Sequence, residues 1–548
     1  MTQNNNNTEQ TAFPRLSPEQ IEELGAYAQR RTFEDGQTLF EAGESDFKFF
    51  IIIEGTVEIL EPSSGRPHTV TVHQAGEFTG DIDMLTGRPS LLTAVARGEV
   101  LVYQLAAEEL RRILSEEPRL GEEILRAFLA RRELLEASDF VGVLVIGSRH
   151  SRDTLRIRDF LSKNQVPLTW IDVENDPRVH QLFRHFNISA EDTPVVVVQG
   201  NRGILRRPSN RELGEALNIK QPVEHVVYDL TIIGAGPAGL AAAVYGASEG
   251  LQTVVVEKDA PGGQASQSSR IENYMGFPAG LSGSDLANRA VLQAQKFGAL
   301  ITTPVEAVGL TCERGYNVVQ LDDEDYVVTR CVLIATGGSY RRLDVENCAH
   351  FEGAGVYYGA TTVEAQMCHD QDVVIVGAGN SAGQAAVFLS QHARRVLLAI
   401  RGEDIYKDMS SYLARRIEET DNIDVHLTSE VVALEGKESL ERAVLRNRET
   451  GEEMPVETAA LFIFIGVEPH TAWLPPQIEL DERGFIKTGP DVQRSPHWPL
   501  RRPPFLLETS QPGVFAAGDA RAGSIKRVAS AVGEGSMTVH FVHRYLSG

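Results

Sequence analysis

Cysteine is scarce: four residues, Cys312, Cys331, Cys348 and Cys368, in a chain of 548. They are scattered, with no metal-ligand spacing and no Cys-x-x-Cys, so neither a disulfide scaffold nor a zinc site is expected. Long apolar runs are also missing. No stretch reaches the roughly 18–20 residues of a membrane-spanning helix. Positive charge is short: 52 Lys and Arg face 76 Asp and Glu, a formal net charge of -24. Such a field repels phosphate and argues against nucleic-acid or anionic-membrane partners. The first residues, Met1-Thr-Gln-Asn-Asn-Asn-Asn, lack the basic-then-apolar pattern of a secretion signal, and the expected compartment is the cytoplasm. Residues 1–14 are expected to be a disordered tail.

What the chain does have is glycine in fixed spacing. In Thr231-Ile-Ile-Gly-Ala-Gly-Pro-Ala-Gly-Leu240 an apolar strand runs into Gly234, Gly236 and Gly239, and a helix follows. Gly234 permits the tight turn, Gly236 lets the backbone approach a pyrophosphate, and Gly239 lets helix and strand pack closely. A second strand, Thr253-Val-Val-Val-Glu257, ends in a carboxylate placed to accept from a ribose hydroxyl. A second turn of the same type follows the strand Val373–Val376, with Gly377, Gly379 and Ala382 at the small positions and Ser381 beside them.

Residues 15–138 read as a helical stretch (18–29), short glycine-punctuated strands (38–40, 49–53, 56–60, 69–72, 101–103) and a closing helical stretch (107–136), a small barrel or jelly roll. The runs Phe49-x-Ile-Ile-x-Glu-Gly55-x-Val57, Ala75-Gly-Glu-Phe-Thr-Gly-Asp81 and Leu85-Thr-Gly-Arg-Pro89 resemble the cyclic-nucleotide-binding domain family. That family's Gly-Glu pair is here Gly80-Asp81, and its phosphate-clamp arginine is absent from Ser90-Leu-Leu-Thr93. A cyclic nucleotide, another small ligand and a structural or docking role all stay open for this unit. Residues 139–222, in the order βαβα–βα, resemble the thioredoxin/glutaredoxin fold, with Thr193-Pro194 like its cis-proline. Its redox motif would fall at Ser148-Arg-His-Ser151, which holds no sulfur, and Ser148 and Ser151 read as helix caps.

From Tyr228 onward the chain is similar to thioredoxin reductase and related flavoprotein disulfide reductases. The resemblance rests on the two nucleotide turns, Pro261-Gly-Gly-Gln264, Ile271-Glu-Asn-Tyr-Met-Gly-Phe-Pro278, Ala335-Thr-Gly337 and Gly513-Val-Phe-Ala-Ala-Gly-Asp519. It implies two Rossmann-like α/β domains, one binding FAD (226–343 and 462–548) and one binding NADPH or NADH (344–461), in a homodimer. By resemblance, the FAD site takes Gly234, Gly236, Gly239, Glu257, Gly262, Gly263, Gln264, Asn273, Ala335, Thr336, Gly337, Gly518, Asp519, Arg527, Val528 and Ala529. The nicotinamide site takes Gly377, Gly379, Ser381, Ala382, Arg401 and Lys407. Arg401, rather than an acid, ends the strand after the second turn, which suits the 2′-phosphate of NADPH. The family's redox Cys-x-x-Cys should lie in Gly355-Val-Tyr-Tyr-Gly-Ala-Thr-Thr362, where Gly359 and Thr362 stand instead.

Three functions follow as expectations. The first is an NAD(P)H oxidoreductase whose flavin serves an unknown acceptor. The second is a flavin-bound redox sensor or regulatory scaffold. The third is a disulfide reductase using Cys368.

Overall fold

The computed structural model describes residues 11–61, 68–137, 142–198, 203–268, 270–313, 315–322, 324–360 and 362–548. Most of the expected tail, residues 1–10, lies outside them. Residues 11–14 are not a free tail: Ala12 is fully buried, its carbonyl accepts from Arg131, and Phe13 packs on His73.

The N-terminal unit opens with α1 (Pro18–Gly25), started by a Ser17–Gln20 capping box with Pro at the first turn. The helix stops short of the expected Gln29, which instead begins β1 (Gln29–Phe33). Then come β2 (Thr38–Phe40), β3 (Phe49–Glu61), β4 (His68–Gln74), α2 (Asp83–Thr86) and β5 (Thr93–Leu105). They form one antiparallel sheet, ordered β1-β5-β3-β4 with β2 on β5. The two expected runs 49–53 and 56–60 are the single strand β3, whose register against β5 shifts near Gly55. The expected closing helix is two, α3 (Ala107–Glu116) and α4 (Pro118–Ala137), parted where Pro118 cannot donate to the first helix. Phe49, Phe78 and Phe128 meet at the centre of this core.

The second unit runs β6 (Val143–Gly147), α5 (Arg152–Lys163), β7 (Leu168–Asp172), α6 (Val179–Phe186), β8 (Val195–Val198), β9 (Gly203–Arg206) and α7 (Asn210–Ala216). The sheet order is β7-β6-β8-β9, with β6 and β7 parallel and the other pairs antiparallel. Strand β9 was not expected from the sequence. The Thr193–Pro194 bond is cis. Ser151 caps α5, its hydroxyl accepting from Thr154 N.

The third unit carries β10 (Val227–Ile233), α8 (Pro237–Ser248), β11 (Thr253–Val256), α9 (Gly283–Lys296), β12 (Leu300–Thr302), β13 (Ala307–Cys312), β14 (Asn317–Leu321), β15 (Tyr326–Ile334) and β16 (Gly338–Tyr340). After an inserted fourth unit the chain returns through β25 (Val467–Pro469), β26 (Val514–Ala516) and α13 (Val528–Leu546). The main sheet is ordered β12-β11-β10-β15-β14-β13, with β26 on β15. Its parallel strands are buried on both faces, which is why they read as continuous apolar runs.

The fourth unit holds β17 (Val356–Tyr357), α10 (Thr362–Met367), β18 (Asp372–Val376), α11 (Asn380–Leu389), β19 (Arg395–Ala399), α12 (Ser411–Glu418), β20 (Ile423–His426), the meander β21 (Ser429–Gly436), β22 (Leu440–Asn447), β23 (Glu453–Glu457), and β24 (Ala460–Ile463). Its parallel sheet is ordered β17-β24-β18-β19-β20. Because β24 pairs with β18 through Ile463, the unit extends past the expected boundary at 461. The crossing points are β16 and β25, which pair as a two-stranded antiparallel ribbon.

The N-terminal units dock on the third. Leu292 of α9 is 5% exposed inside the apolar core of the barrel, a burial that contributes about 2 kcal/mol. Ser115 donates to the Lys296 carbonyl at 3.3 Å, Thr302 to the Gln221 carbonyl at 2.7 Å and Gln165 to Asn288 at 2.9 Å.

Candidate dinucleotide sites

The three glycines after β10 have three different surroundings. Gly234 has φ 102°, and a Cβ there would stand 2.5 Å from the Ala335 carbonyl oxygen. A Cβ on Gly239 would meet the Gly234 oxygen at 1.9 Å, so α8 packs hard on the turn. Gly236, just before α8, has ordinary extended backbone and nothing within 4 Å of a Cβ. No protein atom requires glycine there; the space in front of the helix N-terminus is kept for something else, and an anionic pyrophosphate suits it. Gly337 likewise has open space above it.

That space belongs to a cavity of 540 Å³. Gly234, Gly236, Glu257, Gly263, Gln264, Asn273, Ala335, Thr336, Gly337, Gly518, Asp519, Arg527 and Val528, all among the residues expected to hold FAD, line it. Gly239, Gly262 and Ala529 are not in the lining. Gly262 N donates to the Ala235 carbonyl at 2.7 Å and so shapes the loop from behind. Glu257 accepts from Ala235 N at 2.7 Å and Asp259 N at 3.0 Å; burial raises its pKa, and those two amides act against the rise. A carboxylate keeps further lone pairs for a ribose hydroxyl. Burial also raises the carboxyl of Asp519, whose backbone carbonyl accepts from Lys526 at 2.6 Å. Arg527 immediately precedes α13.

Around the second turn the pattern repeats. A Cβ on Gly377 would lie 2.5 Å from the Phe464 carbonyl oxygen, Gly379 has open space, and Ala382 is fully buried. Ser381 and its neighbour Asn380 line the same cavity, so the two turns face one void. Gly377, Gly379, Ala382, Arg401 and Lys407 stand outside its lining. Lys407 is exposed. Arg401 lies 3.6 Å from Glu430, which also pairs with Arg446 at 2.9 Å and Arg448 at 3.7 Å. The hydrogen bond from Arg446, with the charges of all three arginines, holds the Glu430 carboxyl below its usual range. Arg446 and Arg448 were missed in the sequence because the β21–β22 pairing, not sequence distance, brings them to Arg401.

Where the two modules meet, Gly359 and Ala360 line the cavity opposite Gln267 and Tyr340. A Cβ on Gly359 would fall 2.6 Å from Gln267 Oε1 and 3.3 Å from its Cβ. Tyr340 donates to Gln267 Oε1 at 3.1 Å and stacks on Tyr358 at 6.0 Å. Burial, reinforced by the charge of Asp519, raises the Tyr340 phenol far above its usual range. Gln267 and Tyr340 had no motif to mark them, though each sits three residues past one, Gln264 and Gly337.

All four cysteines are free and none lines the cavity. Cys368 is 1% exposed inside the apolar core of the fourth unit, and burial together with Glu364 pushes its thiol up to about 12.

In the N-terminal cassette, Asp81 accepts from Asp83 N at 2.9 Å and Arg132 pairs with Asp83 at 2.7 Å and with Asp81 at 3.5 Å. Arg131 donates to the carbonyls of Ala12, Gly80 and Phe78 at 2.8, 2.6 and 3.0 Å. Ser90, near the missing clamp, donates to the Leu92 carbonyl at 2.7 Å.

Among the described residues no helix is long and apolar enough to cross a membrane, and no cluster of His, Cys, Asp and Glu could hold a metal.

Comparison with known proteins agrees with this geometry. Residues 30–117 match the cyclic nucleotide-binding domain family. The thioredoxin reductase of Bacillus subtilis is 31% identical over 324 residues, covering 59% of this chain and 96% of that protein. That of Mycolicibacterium smegmatis is 33% identical over 322 residues, covering 59% and 97%. The crystal structure of T. acidophilum thioredoxin reductase superposes with a TM-score of 0.53 at 29% identity, covering 59% of this chain and 99% of that one. Thioredoxin reductases use FAD and NADPH. A match to pyridine nucleotide-disulphide oxidoreductases spans residues 228–535, and the chain belongs to that family.

Proposed function

We propose that this protein is an FAD-dependent NADPH oxidoreductase that passes electrons from its flavin to an acceptor without an internal dithiol. One observation carries the reading. At Gly359, where the resemblance places the first redox cysteine, the neighbouring space is filled by the Gln267 side chain, which Tyr340 holds by a hydrogen bond. The loss of sulfur is matched by a polar pair built into its place.

Bound FAD supplies a ring that accepts hydride from a nicotinamide. The open ground at Gly236 and Gly337 fits its pyrophosphate and ribityl chain, and Asn380 and Ser381 stand at the same void for the second nucleotide. Tyr340 keeps its proton at neutral pH and orients the Gln267 amide toward the site. Arg401, Arg446 and Arg448 against the single Glu430 leave net positive charge near the end of β19, where a 2′-phosphate is read.

Cys368 is a poor substitute thiol. Burial, with Glu364 beside it, holds its thiol well above the usual range, which disfavours the reactive thiolate at pH 7, and Cys368 is not among the residues lining the cavity. The second unit has the strand order of a thioredoxin-like fold with Ser151 as a cap in place of a sulfur, which supports a redox-inactive adaptor.

Anaerobic stopped-flow absorbance tests the reading. The flavin band should bleach within about seconds with NADPH, as typical turnover rates require, and Cys368→Ser should bleach alike. A flavin that dithionite bleaches and neither NADPH nor NADH does would overturn the enzyme in favour of a redox sensor.

A further inference from the structure

Among the described residues, all that line the 540 Å³ cavity belong to the two nucleotide modules except Lys163. It comes from the last turn of α5 in the thioredoxin-like unit. The rest of the lining is balanced in charge: Lys258, Lys526 and Arg527 face Glu257, Asp259 and Asp519. Lys163 is the one further cation among the described residues at a cavity whose expected occupant carries two phosphate charges, and its ion-pair partner, Asp159, stands outside the lining. Its Nζ lies 2.6 Å from Asp159 one turn back, and an ammonium has three donors, so two remain. Next to it, Gln165 is bound to Asn288 of α9, which fixes this end of the helix on the FAD module.

The other end of α5 is fastened elsewhere. Arg152 donates to the carbonyl of Ala349, and Leu155 packs against the apolar core of the nicotinamide module. Arg158, between the ends, stacks on Trp170 at 3.9 Å and lies in the field of Glu364. A helix of 12 residues, about 18 Å long, thus touches both modules and the void between them.

We propose that the thioredoxin-like unit completes the FAD site, with Lys163 as a binding residue for the anionic dinucleotide, on a helix whose far end is pinned to the nicotinamide module. This rests on the FAD reading of the cavity.

The test is titration of the full chain, stripped of flavin, with FAD and with riboflavin, followed by flavin fluorescence. Lys163→Gln should weaken FAD by about tenfold at low salt, with a smaller difference at high salt. Riboflavin, which has no phosphate, should bind the variant and the wild type equally, and Lys163→Arg should retain most of the FAD affinity. A Lys163→Gln protein of unchanged melting temperature that binds FAD as the wild type does would overturn the proposal. A wild type that binds no FAD would overturn the cavity reading instead.

Discussion

The turn at Gly234–Gly239 and the turn at Gly80-Asp81 both precede a helix, and both carry the pattern of a nucleotide-binding family. They differ in what fills them. Above Gly236 nothing lies within 4 Å of a Cβ, whereas a Cβ on Gly80 would meet Met84 Sδ at 2.6 Å and Phe49 and Phe128 at 3.4 Å. The carboxylates of the first cassette are paired with Arg132, and its carbonyls are taken by Arg131. A motif that keeps space and unspent polar groups is a site. Where the groups are paired within the fold, a ligand finds fewer of them free, and calorimetric titration of the full chain with a cyclic nucleotide checks whether this unit, which matches the cyclic nucleotide-binding domain family, still takes one.

The sharpest test of that contrast is to fill the space that is kept. Gly236→Leu should lower FAD affinity by about a hundredfold or more, read as loss of the flavin absorbance of the purified protein, while the backbone there accepts a side chain without strain. The converse is to empty the space that is filled. Arg131→Ala leaves three carbonyls without their donor and should destabilise the barrel by about 3 kcal/mol, seen as faster hydrogen exchange in residues 68–137, with FAD uptake unchanged. A third test asks whether the second nucleotide turn reads its phosphate through the meander. Arg446→Gln with Arg448→Gln should raise KM for NADPH by about tenfold and leave KM for NADH nearly unchanged.

The smallest effect concerns Asp81, whose pKa burial and the neighbouring Asp83 raise to about 6, against the pull of Arg132 and Arg131. The folded state holds this proton more tightly than the unfolded chain does. The stability it contributes is present below the unfolded value near 4 and is lost as pH rises through about 6. Asp81→Asn should therefore flatten the fall in melting temperature of the barrel between pH 4 and 7.

The glycine turns, the buried parallel strands and the cavity lining from Gly234 to Val528 were legible in the sequence because each is a local pattern with one physical job. What was not legible depends on strand pairing or docking. Gln29 reads as the end of a helix and residues 30–33 as no element; the strand Gln29–Phe33, four of its five residues exposed, exists through its pairing with β5. Gly203–Arg206 is too short and mixed to announce itself without β8. Gln267, Tyr340 and Lys163 reach one void from segments without a shared motif.

The ribbon of β16 and β25 has a consequence for how the chain assembles. Tyr340 pairs with Val467, so the ends of the inserted nicotinamide module lie at strand spacing, about 5 Å apart. Seen from the flavin module, the insertion is the loop of a hairpin that happens to be folded. If the insertion were already folded, bringing β16 to β25 would cost the entropy of closing a short turn rather than that of a loop of more than a hundred residues.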